Sequence, residues 1–353
     1  MFDTVSFRRS EPLPPSYELR ERGFSKPHDG SGRHWFLNIQ FNPSTLIRLD
    51  WHRTFSGDWL FAHLSSLPKF LYGNNVQMVE TEAEVRRGSE DLSTVVSDYA
   101  GVNYDVPSSD VVVLHACHSW KLTEPEVYAR LHALRSGHID RMNRCLKDGK
   151  EGVGGVYFEN ASEQFTAYAK CAETLLRLRE GTATAEHLSM AAGVFRIEHR
   201  YLNSDSVKRF RKRSQLPDQK AETLLRPDIA ERILNEKMQQ LGIDKEIEAG
   251  DVRLKRIRDF YGIGSNEYKH LTQFIALADE HGGMDNLVPL GLYSDSVFYK
   301  YRKELNRAGA LLVAPAKTYL PALAPVKFHE DSLAMSNTIQ RSPVFETSTE
   351  WLN

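Results

Sequence analysis

Strand-like and helix-like spacings of apolar residues alternate through the first two hundred positions, and helical spacing alone continues beyond them. His34–Gln40 and Thr45–Phe55 alternate loosely and carry aromatics, which predicts two strands. Val85, Leu92, Val95 and Val96 recur at helical spacing within Glu80–Ala100, so a helix is expected from near Thr81. Val111, Val112, Val113 and Leu114 follow a turn signal at Pro107–Ser109 and predict a strand over Asp110–Leu122. Glu124–Leu134 puts Val127, Leu131 and Leu134 on one helical stripe. After the glycine-rich turn Gly149–Gly155, Val156–Glu159 and Gln164–Lys170 read as a strand pair, and Ala172–Arg179 leads into a helix. Gly193–Tyr201 is a further strand and Asp205–Arg213 a basic helix. Residues 1–34, rich in proline and charge, read as an irregular lead-in after a short first strand.

Ser214–Lys220 is a boundary, past which helices are predicted at Asp228–Leu241, Val252–Phe260, Glu267–His281 and Ser294–Ala308. The fold class expected is α+β: an antiparallel-sheet unit over 1–215 and a mainly helical unit over 216–353. No internal repeat is visible in the sequence.

Composition narrows this picture without redirecting it. Of 353 residues, 41% are hydrophobic and 26% charged, enough apolar material for a real core. The longest apolar runs, such as Ala308–Ala316, are too short to span a membrane, and the N-terminus has no apolar signal region. Cys117, Cys145 and Cys171 form no C-x-x-C pair, which points to a reducing, cytoplasmic setting without a disulfide framework or zinc knuckle. A net charge of −2 neither supports nor excludes nucleic-acid binding, because local clustering decides phosphate contact. The clearest cluster is Lys208, Arg209, Arg211, Lys212 and Arg213 around Phe210, an aromatic able to stack on a base. A solvated helix face is the plain alternative.

Three strands carry candidate chemistry. With Gln164–Lys170 extended, Thr166, Tyr168 and Lys170 share one face. A phenol is a poor nucleophile at neutral pH, and an adjacent ammonium favours phenolate and stabilises charge building on a phosphate. β-Propensity alone also accounts for a tyrosine there. His115 and Cys117 share a face and could address one metal; a core histidine beside a buried thiol is the alternative. Arg196, Glu198 and Arg200 share a face, read either as a cross-strand ion-pair ladder or as a metal carboxylate flanked by guanidinium groups for DNA phosphate. Toward the C-terminus, Val297, Tyr301 and Leu305 form an apolar stripe with Lys300, Arg302, Lys303 and Arg307 around it. This suits either the second helix of a helix-turn-helix or an ordinary amphipathic helix.

Five segments taken in order resemble the replication initiators of filamentous phages, endonucleases that nick the plus-strand origin. They are Met1-Phe-Asp-Thr-Val-Ser-Phe7, Leu67-Pro-Lys-Phe-Leu-Tyr-Gly-Asn-Asn-Val76, Val113-Leu-His-Ala-Cys-His-Ser119, Tyr168-Ala-Lys-Cys-Ala-Glu173 and Phe195-Arg-Ile-Glu198. A weaker match runs through Ser296-Val-Phe-Tyr-Lys-Tyr-Arg302. The resemblance implies a rolling-circle nicking fold. It also implies Tyr168 as the nucleophile that becomes linked to DNA, Lys170 as its support, and a divalent cation, Mg²⁺ or Mn²⁺. His115 stands where the family has an acid, so the metal falls either to His115 or mainly to Glu198 or Glu173. Origin duplex and single strand are the implied partners, contacted through Arg196, Arg200, the 208–213 cluster and Lys300, Arg302 and Lys303. Host helicase and polymerase act after the nick, in the bacterial cytoplasm. Two rivals stand beside this reading: a DNA-binding regulator without catalysis, and a tyrosine recombinase, which the late tyrosines Tyr299, Tyr301 and Tyr319 do not frame.

Overall fold

Every segment with strand-like alternation enters one antiparallel sheet. The computed structural model describes residues 1–26, 33–135, 137–139, 141–149, 152–246, 252–281, 283–312 and 320–328. Its strands are β1 (Phe2–Ser10), β2 (His34–Asn42), β3 (Thr45–Thr54), β4 (Gly57–Leu64), β5 (Asp110–Lys121), β6 (Asn143–Gly149), β7 (Gly152–Glu159), β8 (Glu163–Ala169) and β9 (Val194–Tyr201). They lie in the order β2-β3-β4-β1-β5-β9-β8-β7-β6, with every neighbouring pair antiparallel. The helices are α1 (Ser16–Glu21), α2 (Leu67–Tyr72), α3 (Glu82–Ala100), α4 (Glu124–Leu134), α5 (Lys170–Arg179), α6 (Ala185–Ala191), α7 (Ser204–Arg213), α8 (Ala221–Leu224), α9 (Pro227–Leu241), α10 (Val252–Tyr261), α11 (Asn266–Glu280) and α12 (Asp295–Arg307). The α+β class and the helical character of the C-terminal part are as expected.

Local chemistry explains the boundaries. Thr81 and Glu84 close a capping box at the start of α3, and Thr123 and Glu126 do the same for α4. Helix α3 stops at Gly101, whose φ of 71° a side chain would resist. The first strand expected ahead of the lead-in is β1, a full central strand with Val5 and Phe7 buried between β4 and β5, and the lead-in after it also holds the short helix α1. Strand β8 ends at Ala169, so Lys170 opens α5 instead of continuing the strand.

The registers sort the side chains onto two faces. Leu49, Leu64, Val5, Leu114, Ile197, Tyr201 and Phe165 line one face, against which α4, α7 and α9 pack. Arg48, Asp50, His52, His63, Ser6, His115, Cys117, Arg196, Glu198, Arg200, Thr166 and Tyr168 occupy the other. The order β1-α1-β2-β3-β4-α2 recurs as β5-α4-β6-β7-β8-α5, and the two halves meet at the β1–β5 pair with β9 inserted beside β5. The sequence showed no such repeat, because the topology recurs without the residues.

Apolar burial forms two cores. One joins the sheet to Ile229, Ile233, Leu234, Met238 and Leu241 of α9, and the other gathers Ile257, Leu271, Phe274, Phe298 and Leu305 of α10–α12. The second core runs from Ile257 to Leu311, and the chain then returns to the first through Leu312, Leu320, Leu323, Val326 and Phe328; α9, beyond the boundary expected at 215/216, turns its apolar stripe onto β5 and β9. In α12 the inward stripe is Phe298, Arg302 and Leu305 instead of Val297, Tyr301 and Leu305. Residues 281–294 separate α11 from α12, longer than the three- or four-residue turn of a helix-turn-helix.

Candidate active site

Tyr168 sits near the end of β8, directly across from Arg196 of β9 and Gly155 of β7. A β-carbon at Gly155 would come within 3.0 Å of the Tyr168 β-carbon, so glycine there leaves the phenol its place. The Tyr168 hydroxyl donates to Glu198 Oε1 at 2.6 Å, and the residue is only 8% exposed. Burial, then the Glu198 charge, raise the phenol well above its usual range. Lys170, expected to support the phenolate, is fully buried; its ammonium pairs with Glu173 one turn along α5 and lies 5.9 Å from the Tyr168 ring centroid.

Glu198 is held on its other oxygen by Arg200, whose guanidinium donates to Oε2. Burial alone would raise this carboxyl, but Arg200, Arg196 and the Tyr168 hydroxyl outweigh it and bring it to about 2. Glu173 is shared between Lys170 and Arg177, the latter at 2.6 Å. His115 faces the same side, buried, its Nδ1 without a hydrogen-bond partner. Burial, then Arg200, hold it at about 3, so it is a neutral imidazole. His115, Glu198 and Glu173 are not drawn together as a ligand set: the carboxylates are already committed to cations, and the three do not converge on one point.

Arg196 is also corrected. It is 1% exposed, with Nε donating to Ser119 Oγ at 2.8 Å and Nη1 to the Asn75 carbonyl at 2.7 Å. It staples the 75–78 segment to the sheet and has no surface for a phosphate. Arg302 likewise turns inward, its guanidinium donating to Asp285 at 3.0 Å and to the Gly137 carbonyl, which ties the second core to the sheet unit. Lys208, Arg209, Lys212 and Arg213 are exposed on α7, and Lys300 and Lys303 on α12. Phe210, expected to stack on a base, is instead core, packed on Tyr201. Helix α7 therefore lies on the face of the sheet opposite Tyr168.

Two residues that sequence reasoning passed over join this site. Asp3 is buried beside Glu198, accepts from Ser66 at 2.5 Å, and has its carboxyl raised by burial and by that neighbour. Lys69 in α2 is half-buried near Asp3, Glu173 and Arg177, and its ammonium makes no hydrogen bond or ion pair among the described residues. Lys69 lay within the Leu67–Val76 motif; Asp3 lay within the first. Five cations (Lys69, Lys170, Arg177, Arg196, Arg200) thus surround three carboxyls (Asp3, Glu173, Glu198), a positive excess about a phenol.

No family model, curated protein or solved structure matches the chain. Among the described residues no helix is long and apolar enough to cross a membrane.

Proposed function

We propose that the chain initiates rolling-circle replication by nicking one strand of origin DNA, with Tyr168 as nucleophile and a 5′-phosphotyrosine as intermediate. The observation that carries this reading is the 2.6 Å hydrogen bond from the Tyr168 hydroxyl to Glu198, inside a cluster with more cations than carboxylates. What supports the reading is a phenol beside a carboxylate and among cationic side chains, the group types that such a phosphoryl transfer would use.

The step balances simply. The phenol oxygen bonds to phosphorus, its proton passes to Glu198, the P–O3′ bond breaks, and the 3′ oxygen takes a proton from solvent. Arg200, half-exposed at the rim, is the first cation a phosphate meets. A phosphate that draws Arg200 away from Glu198 makes that carboxylate a stronger base beside the phenol. Lys69 is free to meet a second phosphate oxygen. The side chains as paired do not fit a divalent cation at this site, so no step is routed through one. Origin duplex would meet the exposed cations of α7, and host helicase and polymerase would use the exposed 3′ end in the host cytoplasm.

The sealed state of Tyr168 favours one second reading, a DNA-binding regulator that does not cut. Incubation with a single-stranded origin oligonucleotide and a denaturing gel separates the two. Nicking predicts a covalent protein–DNA band from wild type and none from Tyr168→Phe. A wild-type chain that binds the oligonucleotide and never forms that band is the regulator.

A further inference from the structure

At the other end of the same sheet face, β2 and β3 bring together donors that the nicking reading does not use. His34 and His52 are directly opposite in register, their rings stacked with centroids 4.2 Å apart. Asp50 lies two residues before His52 on the same face, buried, with Oδ1 2.7 Å from His34 Nε2. One donor atom from each of the three lies within 4.8 Å of the other two. His63 on β4 stands outside this group: its Nε2 is 3.5 Å from Asp50 Oδ2 and its Nδ1 is 2.8 Å from Ser6 Oγ. It can orient the carboxylate as an outer-shell partner does.

We propose that His34, Asp50 and His52 bind a divalent first-row transition ion such as Zn²⁺, with water as the fourth ligand. Two imidazoles with one carboxylate suit such an ion better than Mg²⁺, which prefers oxygen ligands and water. A tetrahedral ion with ligands at about 2.1 Å sets them roughly 3.4 Å apart, so donors now up to 4.8 Å apart must close in around it. The three histidines are half-buried, which leaves an ion a way in.

Arg48 now neutralises Asp50, with Nε 2.7 Å from Oδ2 and Nη2 2.8 Å from Oδ1. An ion must take one of those oxygens from it. The guanidinium already lies 5.1 Å from the Phe36 ring centroid, where a cation–π contact can keep it. Five strand positions separate β3 from β8, about 24 Å at about 4.8 Å per strand. The ion would therefore not touch the phosphate at Tyr168, and the proposal stands apart from the nicking reading.

The test uses the full chain stripped with chelator, titrated with Zn²⁺ by calorimetry and with Co²⁺ by visible absorption. We expect one ion per chain and a four-coordinate Co²⁺ spectrum. The double variant His34→Ala/His52→Ala should bind about 100-fold more weakly, while Tyr168→Phe should bind like wild type. Absence of stoichiometric binding in wild type, or unchanged binding in a folded double variant, overturns the proposal. Should circular dichroism show that variant unfolded, Arg48→Met decides: severalfold tighter binding supports the site, and unchanged affinity overturns it.

Discussion

The two halves of the sheet's polar face are built in the same order and treat charge in opposite ways. Around β5, β8 and β9 the groups are sealed: Arg196, Glu198 and Lys170 are almost fully buried, and each is matched by an opposite charge or a carbonyl. Around β2, β3 and β4 only Asp50 is buried, and His34, His52 and His63 remain half-buried about it. Burial fixes the protonation and pairing of the first half before any ligand arrives. The second half keeps donor atoms that a ligand can recruit. On the proposed readings, a nucleophilic phenol would be shielded in the sealed half and an ion would enter through the open one.

The largest break of this contrast is expected from Arg196→Leu. Removing a buried guanidinium with three polar partners should cost about 3–5 kcal/mol, whereas His52→Ala on the open half should stay within about 1 kcal/mol. Urea denaturation of the two variants measures it, and equal losses would erase the distinction.

Acid should test the imidazoles of this end of the sheet next. Burial, helped by Arg200, holds His115 on the polar face at about 3, and burial holds His118 and His199 on the apolar face at about 4. Unfolded, each titrates near about 6.5, so below that value the unfolded chain binds more protons. Stability from these groups is fully present above about pH 6.5 and is lost as pH falls toward their folded values. Glu198 adds a loss lower still, between its unfolded range and about 2. Denaturation midpoints at pH 7.5, 6 and 5 should fall in that order, and His115→Asn should flatten the decline. A level profile would contradict the assigned burial.

The smallest effect concerns the opposite face. Lys208→Glu with Arg209→Glu, both exposed on α7, should lower the salt slope of duplex binding by about 2, one per cation removed. Duplex affinity should suffer more than adduct formation on a single strand. Equal losses would mean that one surface serves both.

Much of this was legible in the residues. Alternation alone placed Tyr168 with Thr166, and Glu198 with Arg196 and Arg200, and Thr81 with Glu84 announced α3. What alternation cannot give is the depth of each face. Arg196 and Arg302 look like surface cations until the 75–78 segment and the Gly137 carbonyl close over them. Lys170 looked extended because tyrosine and alanine precede it, yet the Ala, Glu, Leu and Arg residues of 172–179 favour a helix and draw it into α5. The His34–His52 pair depends on the β2–β3 register, which no local pattern encodes.

The central claim is that Tyr168, with Glu198 as proton acceptor, forms the bond to DNA. The direct measurement is mass spectrometry of the protease-digested adduct formed with a single-stranded origin oligonucleotide. The account predicts the nucleotide on the peptide containing Tyr168, joined through a 5′ phosphate, with the yield sharply reduced in Glu198→Gln. A nucleotide on the half-buried neighbour Tyr157, or on any other residue, would contradict it.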